Sequence, residues 1–181
     1  ALDMVRRIQA AADEGREFVA ILPCGPMAQY DKAVEIINQL RIPMGHVHTF
    51  NMDEFADQDG NSAPGDWPGS FQHAMWRRFF SRIDLELCPP AEQIHFPSSA
   101  SIGDYGRRIA DLGGADVCYG GIGWCGHVAF WEAHLGDEFP DLDEYCRAGA
   151  RVVELHPMTI MQTALHHGGD WSMVPPKAVT I

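Results

Sequence analysis

At 181 residues the chain fits one domain, of a size at which folding takes roughly 70% of the unfolded chain's surface out of water. Its 46% hydrophobic and 21% charged residues are ordinary for a globular protein, and the longest uncharged runs, 18–30 and 117–131, are too short and too broken by Gly and Pro to cross a bilayer. A formal net charge of −12, with only Arg77-Arg78 and Arg107-Arg108 as basic pairs, repels nucleic-acid phosphates and anionic lipid alike, so a small molecule is the expected partner rather than nucleic acid or a membrane.

Val5, Ile8 and Ala12 stand at helical spacing before Gly15, which predicts an amphipathic helix over 3–14. The opening Ala-Leu-Asp-Met-Val-Arg-Arg has no apolar core of the signal-peptide kind, and a cytoplasmic protein is expected. Residues 18–22 are a continuous apolar run, the mark of a strand buried on both faces, ended by Pro23-Cys24-Gly25-Pro26. Met27, Tyr30, Val34, Ile37 and Leu40 then keep helical spacing, and a turn that opens a helix in this way can hold a phosphate.

Residues 47–50 read as the next strand, delivering Asn51-Met52-Asp53-Glu54 into a loop rich in Asp, Gly, Asn and Pro that runs to 69. Two adjacent acids at a strand's end are a candidate site, although spacing alone equally describes loop acids capping a turn. A helix over 70–83 is predicted, capped by Ser70, followed by a brief strand at 94–96, a helix over 104–112 closed by Gly113-Gly114, and a strand at 115–119. That strand feeds glycines at 120, 121, 123 and 126, then His127 and Glu132. An apolar strand, a glycine-rich turn and titratable groups describe the ligand-binding carboxyl end of a strand in an open α/β sheet, so this stretch is taken as the active-site loop. Residues 133–149 form a solvated acidic loop or short helix; 151–155 is a strand, 157–166 a helix and 177–181 a strand. The alternation predicts a single doubly wound, Rossmann-like domain over 1–181: a mainly parallel open sheet with helices on both faces.

Five cysteines, at 24, 88, 118, 125 and 146, are odd in number and form no C-x-x-C pair, so free thiols are expected. Cys125 is taken as a pocket residue rather than a nucleophile, an inert buried thiol being the commoner fate of cysteine. His46, His48, His95, His156, His166 and His167 lack a zinc-ligand spacing, and neighbours such as His166 and His167 on a helix point to different faces, so no metal is expected. Trp124 and Trp131 flank the glycine loop and are candidates to line an apolar pocket.

Several segments agree with one family in order and spacing: Leu22-Pro23-Cys24-Gly25-Pro26-Met27, Thr49 to Phe55, Trp67 to Phe71, Gly120 to Glu132 and Val174 to Ile181. Together they resemble the signatures of the glucosamine-6-phosphate deaminase/isomerase family over nearly the whole chain, a far more specific signal than a lone glycine pattern. The resemblance implies conversion of an amino-sugar 6-phosphate to a ketose phosphate and ammonia, by ring opening and proton movement between C1 and C2, with no metal or organic cofactor. Asp53 matches the proton-shuttling carboxylate, and His127 and Glu132 match two members of the acid–base trio that opens the ring. Cys24, Gly25, Glu54, Gly121, Gly123, Cys125 and Gly126 are implied as substrate-binding residues, and a homo-oligomer is compatible with the resemblance.

Three departures from the family pattern stand out. Cys125 replaces the family's aspartate beside the histidine, removing the trio's third member, the carboxylate that would orient the histidine. The phosphate loop at 22–26 is short, lacks threonine hydroxyls and carries Pro26, which cannot donate. Near Ile160 the family's phosphate-gripping arginine is missing, and the C-terminal part of the family fold, with a further lysine, lies outside this chain. Two other readings stay open on the same fold: a non-catalytic sugar-phosphate sensor, and a 6-phosphogluconolactonase-like hydrolase, a group that lacks the Asn-Met-Asp-Glu match.

Overall fold

The structure, a computed structural model, describes residues 1–25 and 27–181; Pro26 of the expected phosphate turn lies outside the described residues. Helix α1 (Leu2–Asp13) buries Met4, Val5, Ile8 and Ala11 and stops at Gly15, whose φ of +67° is open to glycine without strain. Strand β1 (Phe18–Leu22) then alternates its side chains between two cores. Phe18, Ala20 and Leu22 face α1 and α2 (Ala28–Leu40), with its buried Tyr30, Ala33, Val34 and Ile37. Val19 and Ile21 face the opposite core, which contains Ile102 and Tyr105 of α4 (Ile102–Asp111). Burial on both faces is the reason for the unbroken apolar run.

Strands β2 (Val47–Asn51), β4 (Ile94–His95) and β5 (Val117–Cys118) join β1 in a four-stranded parallel sheet of order β4-β2-β1-β5, with helices packed on it as expected. The Tyr105 hydroxyl donates to the carbonyls of both Asn51 and His95 at 2.9 Å, tying the ends of β2 and β4 to α4.

The C-terminal strands depart from the expected parallel sheet. Strand β3 (Asp53–Ala56), β6 (Arg151–Glu154) and β7 (Lys177–Thr180) form a separate antiparallel sheet of order β3-β7-β6. Asp53 and Glu54, expected in a loop, open a strand. Met52 is the switch: its amide donates to Leu22 O at 3.1 Å in the parallel sheet, and its carbonyl accepts from Ile181 N at 3.0 Å beside the other. A four-residue strand satisfies a parallel or an antiparallel neighbour equally, and periodicity carries no information about which.

Helix α3 (Phe71–Arg78) is capped by Ser70, whose Oγ accepts from His73 N at 2.9 Å, and ends earlier than expected at Phe79, before one 3₁₀ turn over Phe80–Arg82. In the acidic segment, α5 (Leu142–Arg147) is capped by Asp141. The last helix, α6 (Pro157–Ala164), runs into a 3₁₀ turn at Leu165–His167. All five cysteines are free thiols, and no helix among the described residues is long and apolar enough to cross a membrane.

Candidate active site

A cleft of about 450 Å³ opens where the parallel strands end. Cys24 and Gly25 reach it from the turn after β1, Asp53 from the start of β3, and Gly121, Gly123 and His127 from the loop after β5. Phe55, Phe71 and Phe130 form an apolar wall, and Thr159, Gln162, Thr163, His166 and His167 close the side facing α6. Asp53 and His127 therefore share one cleft at the carboxyl edge of the sheet, the position at which open α/β folds bind ligands.

Asp53 is only 5% exposed, and its Oδ1 has no hydrogen-bond partner among the described residues. Burial raises its carboxyl pKa well above the usual range, and the neighbouring Glu54 charge adds to the rise. A carboxyl group so placed holds a proton far more readily than a solvated aspartate, which suits it to exchange a proton with bound substrate.

Glu54 points elsewhere. Its carboxylate accepts from the amides of Phe55 at 2.9 Å, Phe71 at 3.0 Å and Gln72 at 2.9 Å, and it is absent from the cleft wall. It fastens β3 to the exposed amides at the N-terminus of α3, the turn-capping role that spacing alone allowed. Burial raises its pKa while the three amides lower it.

The glycine loop is shaped around His127. A Cβ on Gly123 would lie 2.1 Å from His127 Nε2, so only glycine lets the imidazole rest on the backbone there. Gly123 N donates to His127 O and Gly126 N to Gly123 O, each at 2.9 Å; Gly126 sits at φ +85°, and Ala129, a non-glycine, at φ +53°. Burial lowers the His127 pKa, and the charge of Glu132 acts against that.

Behind His127 lies a polar cluster. His127 Nδ1 is 2.9 Å from Cys125 Sγ, 3.1 Å from Thr159 Oγ1 and 3.2 Å from Glu132 Oε1. Glu132 is fully buried: Oε1 accepts from the Thr159 hydroxyl and Oε2 from His156 N. Among the described residues no lysine or arginine comes within salt-bridge distance of Glu132; the bases near it are His127 and the partly exposed His134, whose Nδ1 lies 3.7 Å from Oε2. Cys125 and Gly126 are off the cleft wall, with the Cys125 thiol set between His127, Glu132 and Thr159.

Thr159 escaped the sequence reading, which used 156–160 only to locate a missing arginine. Its one local signal is a hydroxyl in the first turn of a helix opened by Pro157. Gln162 escaped as well; its Oε1 accepts from Trp124 N at 2.8 Å and ties the glycine loop to α6. His166 and His167 both line the cleft, contrary to the expectation of opposite faces, in the 3₁₀ turn that follows α6. Trp124 is exposed and Trp131 donates to Ile181 O at 2.6 Å while packing on Tyr145, so neither lines the cleft.

Comparison with known proteins finds relatives along nearly the whole chain. The chain is 33% identical over 186 residues to glucosamine-6-phosphate deaminase of Caenorhabditis elegans, covering 98% of this chain and 63% of that protein. It is 31% identical over 182 residues to glucosamine-6-phosphate deaminase 2 of Homo sapiens, covering 97% and 60%. By sequence, the chain is similar over nearly its whole length to the glucosamine-6-phosphate deaminases. It spans about three fifths of the length of these curated deaminases. No family model matches it. Its fold is that of a monomeric glucosamine-6-phosphate deaminase (TM-score 0.76, 24% identity, 98% of this chain and 70% of the other) and of the 6-phosphogluconolactonase of Thermotoga maritima (TM-score 0.61, 19% identity, 98% and 71%). Among its described residues the cleft wall carries no lysine or arginine, and the cationic candidates there are His127, His166 and His167.

Proposed function

We propose that the chain performs, on a sugar or amino-sugar phosphate, the deaminase/isomerase chemistry of the family it resembles. The observation that carries this reading is a buried Asp53 carboxyl, its Oδ1 without a partner among the described residues, in the same cleft as His127, with Glu132 buried behind the imidazole. In the proposed sequence His127 exchanges a proton with the ring oxygen and the pyranose opens to the aldehyde. Asp53 then takes the C2 proton, giving an enolamine, and returns it to C1; water hydrolyses the resulting C2 imine to the ketose and ammonia. Thr159 and Glu132 hold the imidazole in place. None of these steps calls on an organic cofactor.

The ligand in this reading is a small sugar phosphate rather than nucleic acid, and the five free thiols fit a reducing, cytoplasmic setting. The test is exchange of the C2 proton of glucosamine 6-phosphate with deuterated solvent, followed by NMR for the parent and for Asp53→Asn. Exchange by the parent and its loss in Asp53→Asn are expected; equal exchange by both removes Asp53 from the mechanism. The sensor reading is favoured by Cys125 and by the wall without Lys or Arg, and it replaces the enzyme if neither the parent nor Cys125→Asp exchanges that proton.

A further inference from the structure

The cluster behind His127 has a geometry that hydrogen bonding alone does not account for. Four atoms, Cys125 Sγ, His127 Nδ1, Glu132 Oε1 and Thr159 Oγ1, lie in mutual contact: the pairs measure 2.9, 3.6, 3.4, 3.2 and 3.1 Å, and the sixth, Thr159 to Glu132, is also in contact. One thiol, one hydroxyl, one imidazole N–H and at most one carboxyl O–H supply no more than four protons to these six contacts, leaving at least two with acceptor facing acceptor. A central cation would satisfy all six.

The dimensions fit one. Metal–ligand bonds of about 2.0–2.3 Å at tetrahedral angles place neighbouring N, O and S donors about 3.3–3.6 Å apart; four of the pairs lie at 3.1, 3.2, 3.4 and 3.6 Å, while Cys125 to His127 at 2.9 Å and Thr159 to Glu132 are closer and would open as an ion enters. Charge agrees: a thiolate and a carboxylate neutralise a divalent ion, giving a site without net charge where Glu132 is fully buried and has no Lys or Arg beside it. The second Glu132 oxygen is held by His156 N, which presents the first as a single-oxygen ligand. One soft sulfur, one imidazole and one carboxylate suit zinc better than magnesium or calcium.

We propose that Cys125, His127 and Glu132 form a zinc site, with the Thr159 hydroxyl as a weak, exchangeable fourth donor facing the cleft. On binding, the Cys125 thiol gives its proton to solvent and its sulfur lone pair to Zn²⁺; nothing is oxidised or reduced. The site rests on these four residues and not on the proposed sugar chemistry, so it is tested without any sugar present.

The experiment uses the whole chain, free of any histidine tag and stripped of metal, titrated with Zn²⁺ against a chromophoric chelator and, separately, with Co²⁺. One Zn²⁺ per chain is expected, and a Co²⁺ spectrum with thiolate-to-metal charge transfer and the strong d–d bands of tetrahedral coordination. Cys125→Ser should abolish the charge-transfer band and weaken Zn²⁺ binding by more than about a hundredfold. Cys118→Ser and Cys146→Ser, which alter exposed thiols, should leave both unchanged. Zinc binding that survives Cys125→Ser, or a cobalt-bound parent without a thiolate band, overturns the proposal. The parent spectrum decides the matter even if the serine variant fails to fold.

Discussion

Replacing Asp53 by asparagine should stabilise the protein while removing its proposed activity. The carboxyl is 5% exposed with Oδ1 unpartnered, and the nearly buried Glu54 follows it. Asparagine keeps the shape and drops the charge. A buried group left without a partner costs about 1–3 kcal/mol, and more when charged, so the gain near pH 7.5 should be about 2 kcal/mol. In a chain of this length that corresponds to a Tm rise of about 4–8 °C. The pH dependence follows from the raised folded-state pKa. The folded state binds the Asp53 proton more tightly than the unfolded chain, so the penalty is absent below the unfolded aspartate value of about 3.9 and grows as pH rises toward the folded value. The parent should therefore lose stability relative to Asp53→Asn as pH rises above about 4 toward the raised folded-state value, and the two should converge at the acid end. Thermal and urea unfolding of both proteins across that range measures this. An Asp53→Asn that is less stable than the parent at pH 7.5, or a difference that does not change with pH, refutes the account of a buried carboxyl with Oδ1 unpartnered.

Glu54→Ala removes an acceptor from three backbone amides; with charge-assisted bonds at about 1.5–3 kcal/mol each and relief of a buried carboxylate set against them, a net loss of about 3 kcal/mol is expected in urea unfolding. A loss under about 0.5 kcal/mol would remove Glu54 from the α3 cap. Gly123→Ala puts a methyl group 2.1 Å from His127 Nε2, and displacing the imidazole should lower turnover of a cyclic substrate by about a hundredfold; unchanged turnover would mean the ring position is immaterial. Cys125→Asp restores the family's carboxylate beside His127 and should raise turnover of a cyclic amino-sugar phosphate, a comparison made directly by steady-state kinetics. With no Lys or Arg on the described cleft wall, calorimetry should find a hexose 6-phosphate bound less than about a hundredfold more tightly than the free sugar; a gain above roughly 3 kcal/mol would mean an anion site exists that the wall does not display.

What the sequence determined by itself was whatever depends on neighbours along the chain. The run 18–22 reads as a strand buried on both faces, Ser70 as a helix start, and four glycines ahead of His127 as a loop, on which the imidazole rests. The ordered motifs also carried the family and placed Asp53, His127 and Glu132 together as a hypothesis. The tertiary structure alone decided which strands pair: β6 and β7 look like any short buried strand, and only Met52, bonded to Leu22 on one side and Ile181 on the other, turns Asp53 out of the parallel sheet and into the antiparallel one. It alone separated Asp53 from Glu54, two adjacent acids whose side chains leave opposite faces of β3, one into the cleft and one onto the amides of α3. And it alone brought Thr159 to Cys125 across 34 positions of sequence, because a contact made when α6 folds back over the glycine loop leaves no periodic trace in the chain.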